Sequence, residues 1–321
     1  MKISERIPLT EHTLRLQAGK KVYFVSDVHL GAPVLDNDRE RENRLIRWLD
    51  TIRPDCSELF LLGDIFDFWF EYKRAVPKGH VRFLAKICEF TDQGIPVHFF
   101  TGNHDIWAFG YLPEECGVIL HTHNEIFRIA GKRFLIGHGD ALNPQDKGYL
   151  FLYRIFHNRF LQRCFRWLHP DIGILIARKW SSHSRLENGK IEADAFRGAE
   201  KEEIVRFCRE VLQGQHFDYF IFGHRHLPID YTLSPSAATS NNLSSETPPA
   251  GFISVTLNSP FVSVPVLSNT MVVISATASK KLLPFTKTPI LDAAPIPPKN
   301  PSGTEITSAH GQEITRKIHA L

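Results

Sequence analysis

Leu59 to Trp69 reads LFLLGDIFDFW: four apolar residues, a glycine, two aspartates three positions apart, and an aromatic pair. A short apolar run bounded in this way is a strand buried on both faces, and the glycine lets the chain turn sharply where it leaves the sheet. The same grammar recurs four times. Lys21–Ser26 (KVYFVS) runs into Asp27-Val28-His29, and Val97–Thr101 into Gly102-Asn103-His104-Asp105. A strand over Arg133–Gly137 leads to His138-Gly139-Asp140, and Tyr219–Phe222, the last clear strand of the body, leads to Gly223-His224-Arg225-His226. Ligands collect where loops from several strand ends converge, so five such endings form one constellation.

Between these strands lie helical periods, which makes the first 233 residues α/β in class. Arg39–Arg53 places Leu45, Ile46, Leu49 and Ile52 on one face, with Asp38 as N-cap and Pro54 as stop. Val81–Asp92 is a second helix, closed by Gly94. Glu200–Leu212 is a third, burying Ile204, Val205, Cys208, Val211 and Leu212. Ile126–Ala130 and Arg133–Gly137 form a hairpin around Ala130-Gly131.

Working outward, the 321 residues carry 38 Lys plus Arg against 35 Asp plus Glu, a net charge of +3, with 43% apolar residues. A near-neutral chain is not a dedicated nucleic-acid binder unless its basic residues cluster. Five cysteines (Cys56, Cys88, Cys116, Cys164, Cys208) are odd in number and show no C-x-x-C spacing, which argues for a reducing compartment and against a zinc ribbon. Residues 1–20 hold no continuous apolar run of the leader type, and no stretch approaches the roughly 18 apolar residues of a membrane span. From Ser234 onward, 321 − 233 = 88 residues hold 11 of the 20 prolines, many Ser and Thr, and no Tyr or Trp. This tail, 234–321, reads as a separate Ser/Thr/Pro-rich region, interrupted by β-prone runs at Phe252–Leu257 and Met271–Thr277.

Asp, His and Asn without cysteine supply oxygen and imidazole donors, suited to manganese, iron, zinc or magnesium. A carboxylate between two cations can bridge them at about 3.5 to 4 Å, the arrangement of two-metal hydrolases. Singly, each motif also reads as ordinary turn chemistry. The remaining histidines, among them His12, His80, His98, His121, His123, His157 and His216, read as core or surface residues.

D-x-H, G-D-x-x-D, G-N-H-D, G-H-G-D and G-H-x-H, in this order over Lys21 to about Leu233, closely resemble the calcineurin-like metallophosphoesterase superfamily. The resemblance implies a four-layer α/β sandwich, two mixed β-sheets flanked by helices. It implies two divalent metal ions: one held by Asp27, His29 and His226, the other by Asn103, His138 and His224, with Asp64 bridging. It further implies attack by a water that both cations activate, with His104 as donor to the phosphate or leaving group and Asp105 orienting its ring.

Tyr149–Trp180 adds the clustering that the net charge conceals. Arg154, Arg159, Arg163, Arg166, Arg178 and Lys179 stand there among eight aromatic residues, against Asp171 alone. Such helices suit a membrane interface or a lid over a lipid chain, and also an ordinary cap whose arginines are solvated. With this helical cap insertion (about 143–198) and the D-x-F-D-F-W run, the chain resembles the branch of the superfamily that cleaves the pyrophosphate of an acylated UDP-sugar lipid in lipid A biosynthesis, usually with manganese. That branch implies substrate contacts by Asn103, Asp146, Tyr149 and His224. It implies a cytoplasmic enzyme peripheral on the anionic inner-membrane surface, with no nucleic-acid partner. Two features depart from it: His104 stands where well-known members carry Arg, and no Asn-Leu-Gly-Asp-Trp-like run follows Ser234. The alternatives are a generic phosphoesterase for nucleotides or phosphoproteins, and a non-catalytic membrane-surface adaptor.

Overall fold

The structure is a computed structural model. It describes residues 10–32, 38–177, 179, 198, 200–226, 229–233, 251–255, 273–275 and 285–286. The strands in chain order are β1 (Glu11–Leu14), β2 (Lys21–Val25), β3 (Cys56–Leu62), β4 (Val97–Phe100), β5 (Ile119–His121), β6 (Glu125–Ile129), β7 (Lys132–Gly137), β8 (Tyr219–Phe222), β9 (Ile229–Leu233), β10 (Gly251–Val255), β11 (Val273–Ser275) and β12 (Phe285–Thr286). The helices are α1 (Asp38–Ile52), α2 (Val81–Asp92), α3 (Tyr111–Cys116), α4 (Lys147–Phe156), α5 (Arg159–Phe165), α6 (170–177) and α7 (Glu203–Leu212). They build two mixed six-stranded sheets, ordered β1-β6-β7-β8-β10-β9 and β12-β11-β2-β3-β4-β5.

Strict alternation along the buried strands explains the layering. In β2 and β3, Val22, Phe24, Phe60 and Leu62 meet Phe127, Phe134, Ile136, Tyr219 and Ile221 of the other sheet in one inner core. Their chain neighbours Tyr23, Val25, Leu59 and Leu61 point the opposite way and pack under α1 and α2. On the second sheet Phe220 and Phe222 pack against Ile204, Val205, Phe207 and Cys208 of α7. Strands apolar on both faces thus give helix, sheet, sheet, helix: the mixed α/β sandwich expected.

The helices follow their apolar spacing. α1 buries Leu45, Trp48, Leu49 and Ile52, and the Asp38 carboxylate at its start accepts the Gly31 N–H at 2.8 Å. α2 buries Phe83, Ile87 and Phe90 and ends at Gly94, whose φ of 74° is left-handed. The β6–β7 turn takes positive φ at both Ala130 and Gly131 (49° and 79°), as a type I′ hairpin turn requires. Three readings shift. The third helix begins at Glu203, not Glu200, and Leu212 is only partly buried. Tyr219–Phe222 is not the last strand, because β9 follows. Of the cap insertion, residues 178 and 180–197 lie outside the described residues, as does most of 234–321; β10, β11 and β12 are the described parts of that tail.

Candidate metal centre

The five polar turns leave β2, β3 and β4 on one sheet and β7 and β8 on the other, and the sheets face each other across the inner core. Short ladders continue past the strands. Asp27 N–H donates to Gly63 O, His29 N–H to Asp64 O and Leu30 N–H to Ile65 O, at 2.9–3.1 Å. These bonds hold the first two turns side by side. Gly63, with φ of 81°, has no room for a side chain: a Cβ there would lie 2.6 Å from His138 Nδ1 and 2.7 Å from Gly102 N.

Asp27, His29, Asp64, His224 and His226 all have positive φ, between 48° and 74°. Outside glycine this conformation is rare and costs about 1–3 kcal/mol per residue, although Asp and His tolerate it better than most. The compensation is local: both Asp27 carboxylate oxygens accept the His224 N–H, at 3.0 and 3.1 Å, and Arg41 donates to His29 O at 2.8 Å. Nothing in the motif spacing announced these backbone angles.

The structure brings together all seven residues expected to hold metal. His226 Nε2 lies 3.3 Å from Asp27 Oδ1 and 3.1 Å from His29 Nε2, and His29 Nε2 is 3.8 Å from Asp64 Oδ2. On the other side, His138 Nε2 is 3.4 Å from Asp64 Oδ2 and 3.2 Å from Asn103 Oδ1, which is 2.9 Å from His224 Nδ1. Asp64 faces both groups.

The donor chemistry calls for cations. His138 Nδ1 donates to Leu62 O at 2.8 Å, so in the neutral ring Nε2 carries a lone pair directed at two oxygens that are themselves acceptors. Only a proton or a metal ion reconciles the three. Burial opposes charge throughout. Even so, the Asp64 carboxylate raises the His138 pKa well above its ordinary value. Burial also opposes the charged form of Asp64, yet His138, then His104 and His29, hold its carboxyl well below the usual range. His29 and His224 are pushed down to about 3, chiefly by burial, which leaves both imidazoles neutral and free to ligate. Nitrogen and oxygen donors in this number fit two divalent ions.

One pairing differs from expectation. Asp105 does not orient the His104 ring. Its buried carboxylate accepts backbone N–H groups from Gly102 (2.6 Å), Ile65 (2.8 Å), Asp64 (3.2 Å) and Phe66 (3.4 Å), clamping the second and third turns together. The His104 ring is held by Asp67: Nδ1 is 2.8 Å from the Asp67 carbonyl and 3.8 Å from its Oδ1. The same Oδ1 lies 3.6 Å from His29 Nδ1. Asp67, the second aspartate of G-D-x-x-D, was not singled out in the sequence, although the motif contains it. Tyr149 reaches the rim, with its ring centroid 6.4 Å from that of His224 and its hydroxyl 3.4 Å from Asp140 Oδ2. Asp146 is exposed and caps α4, its carboxylate accepting the Tyr149 N–H at 2.9 Å.

A family model described as calcineurin-like phosphoesterase matches residues 20–228. UDP-2,3-diacylglucosamine hydrolase of Porphyromonas gingivalis is 36% identical over 66% of this chain and 86% of its own length. The hydrolases of the same name from Proteus mirabilis and Haemophilus influenzae are 27% and 28% identical, over 65% and 64% of this chain and 83% of their own lengths in both cases.

Proposed function

Because the chain belongs to the calcineurin-like phosphoesterase family, we propose that it is a metal-dependent hydrolase cleaving the pyrophosphate of UDP-2,3-diacylglucosamine to UMP and 2,3-diacylglucosamine 1-phosphate. In this reading Asp27, His29 and His226 would hold one divalent cation and Asn103, His138 and His224 the other, with Asp64 available to both and manganese as the native pair. When bound, such cations activate the attacking water and neutralise charge on the phosphoryl oxygens. The protein's own part is positional. The Asp67 carbonyl, 2.8 Å from His104 Nδ1, fixes the ring so that Nε2 is the atom presented to phosphate or leaving group. Asp105 holds the turns carrying Asp64 and Asn103 at one spacing. Tyr149 and His224 form the wall beside which the substrate phosphate lies, and Asp146 fixes the start of the helix that presents Tyr149.

We place the chemistry in 1–233, with the cap over about 143–198 receiving the acyl chains. Phe151, Phe160, Trp167, Ile172 and Leu175 of the cap are 62%, 70%, 90%, 52% and 56% exposed, among Arg154, Arg159 and Arg163. Apolar side chains interleaved with arginine suit an anionic membrane surface, hence a peripheral position on the cytoplasmic face of the inner membrane. No helix among the described residues is long and apolar enough to cross a membrane.

The observation that carries the reading is the convergence of seven Asp, His and Asn side chains, Asp64 in their middle, from five turns on two sheets. The test is UMP release by chelator-treated protein, with and without added manganese. We expect hydrolysis to return with the metal and to be much faster on the diacylated UDP-sugar than on UDP-N-acetylglucosamine. Equal rates on both would remove the lipid assignment, and metal-independent rates would remove the mechanism.

A further inference from the structure

We infer that Trp107 is the positioning residue that seats the cap helices on the metal-side turn, and that this seat decides discrimination for the acylated substrate; the second half rests on the function proposed above. Trp107 lies four residues after Asn103, on a segment pinned by backbone bonds from Trp69 N–H to His104 O (3.1 Å) and from Glu71 N–H to Trp107 O (3.2 Å). Its indole N–H donates to the carbonyl of Phe156, the last residue of α4, at 2.9 Å. Its ring stacks on Phe165 of α5 (5.4 Å, 26°) and meets Phe156 edge-on (5.4 Å, 86°). One side chain therefore touches both described helices of the cap that precede α6. A second joint lies beside it, where Arg166 donates to Glu71 O at 3.2 Å and covers the Phe109 ring at 4.8 Å.

The geometry makes α4 a lever. Its C-terminal end rests on Trp107, while Tyr149, seven residues earlier and so about 10 Å away along the helix, stands at the rim beside His224. A small displacement at the Phe156 seat moves Tyr149 and the cap wall against the metal centre. The turn bearing Asn103 and His104 is not free to follow, because Asp105 and Asp64 hold its backbone. Loss of the seat should therefore loosen recognition of a substrate that spans cap and centre while sparing hydrolysis of one that touches the centre alone.

The experiment compares wild type with Trp107→Phe, which keeps a stacking ring but loses the donor, and Trp107→Ala, which loses both. Each protein is loaded with manganese. Amide hydrogen exchange over 147–165 should be at least tenfold faster in the alanine variant and intermediate in the phenylalanine variant. The KM for UDP-2,3-diacylglucosamine should rise about tenfold in Trp107→Ala, with kcat for bis(4-nitrophenyl) phosphate staying within twofold. Unchanged exchange over 147–165, or equal losses on the two substrates, would overturn the inference. If the alanine variant does not fold, the phenylalanine variant decides by the same criteria. If wild type fails to cleave the acylated substrate, the proposed function falls, and the exchange measurement still decides whether Trp107 seats the cap.

Discussion

At the scale of single residues, the centre depends on groups that touch no ligand. Asp67 stands behind two imidazoles, 3.6 Å from His29 Nδ1 and 3.8 Å from His104 Nδ1, where it stabilises ring orientation and, through its carbonyl, the tautomer of His104. A carboxylate in this position typically contributes 10- to 100-fold in metal affinity or activity. Asp67→Asn preserves the shape and the carbonyl, so we expect a folded protein that binds manganese about 10- to 100-fold more weakly; a titration matching wild type would show that the carboxylate charge is idle. The residue was readable as part of a motif but not as a partner of His104, because chain adjacency favoured Asp105. What decided the matter was the hunger of four backbone N–H groups at two buried turns, which consumed the Asp105 carboxylate. Sequence spacing carries no record of that need.

At the scale of elements, legibility followed burial. The double-sided apolar runs β2, β3, β4, β7 and β8 and the amphipathic α1, α2 and α7 were visible because their periods are set by two packed faces. The short edge strand β1 (EHTL) and β5 (ILH) were not, since each is three or four residues of mixed polarity whose strand character comes from its neighbour. The cap helices were seen as composition but not as separate elements, for no residue of α4 or α5 is fully buried. The turns are the most sensitive elements. Gly63→Ala would add a Cβ to a left-handed residue 2.6 Å from His138 Nδ1, and overpacking of this kind costs about 1–3 kcal/mol. We expect a lowered denaturation midpoint together with reduced manganese stoichiometry, since the ring that must yield is one of the proposed donors. Retention of both would mean that the turn relaxes more than its packing suggests.

At the scale of the whole molecule, acid should weaken the fold at the β5 edge of its sheet. His121 stacks on Phe100 at 4.4 Å and lies 2.9 Å from His98 Nδ1, which itself bridges to Glu58. Burial first, then His98 and His12, lowers the His121 pKa from 6.5 to about 3. The unfolded chain therefore takes up this proton first as pH falls. The contribution is whole above about pH 6.5 and is lost progressively towards pH 3. Denaturant midpoints at pH 7.5 and 5.0 should differ less in His121→Phe than in wild type; equal differences would exclude this group.

The centre also has a bearing on how the two halves stay together. Asp27, His29, Asp64 and Asn103 come from turns of one sheet, and His138, His224 and His226 from turns of the other, so each cation held as proposed draws ligands from both. Metal occupancy and sheet association are then a single linked equilibrium. Ligation confined to the docked form adds RT ln(1 + [M]/Kd), about 2.7 kcal/mol at a hundredfold excess over Kd. A divalent ion bound as proposed would then govern how long the fold lasts as well as how fast the protein works.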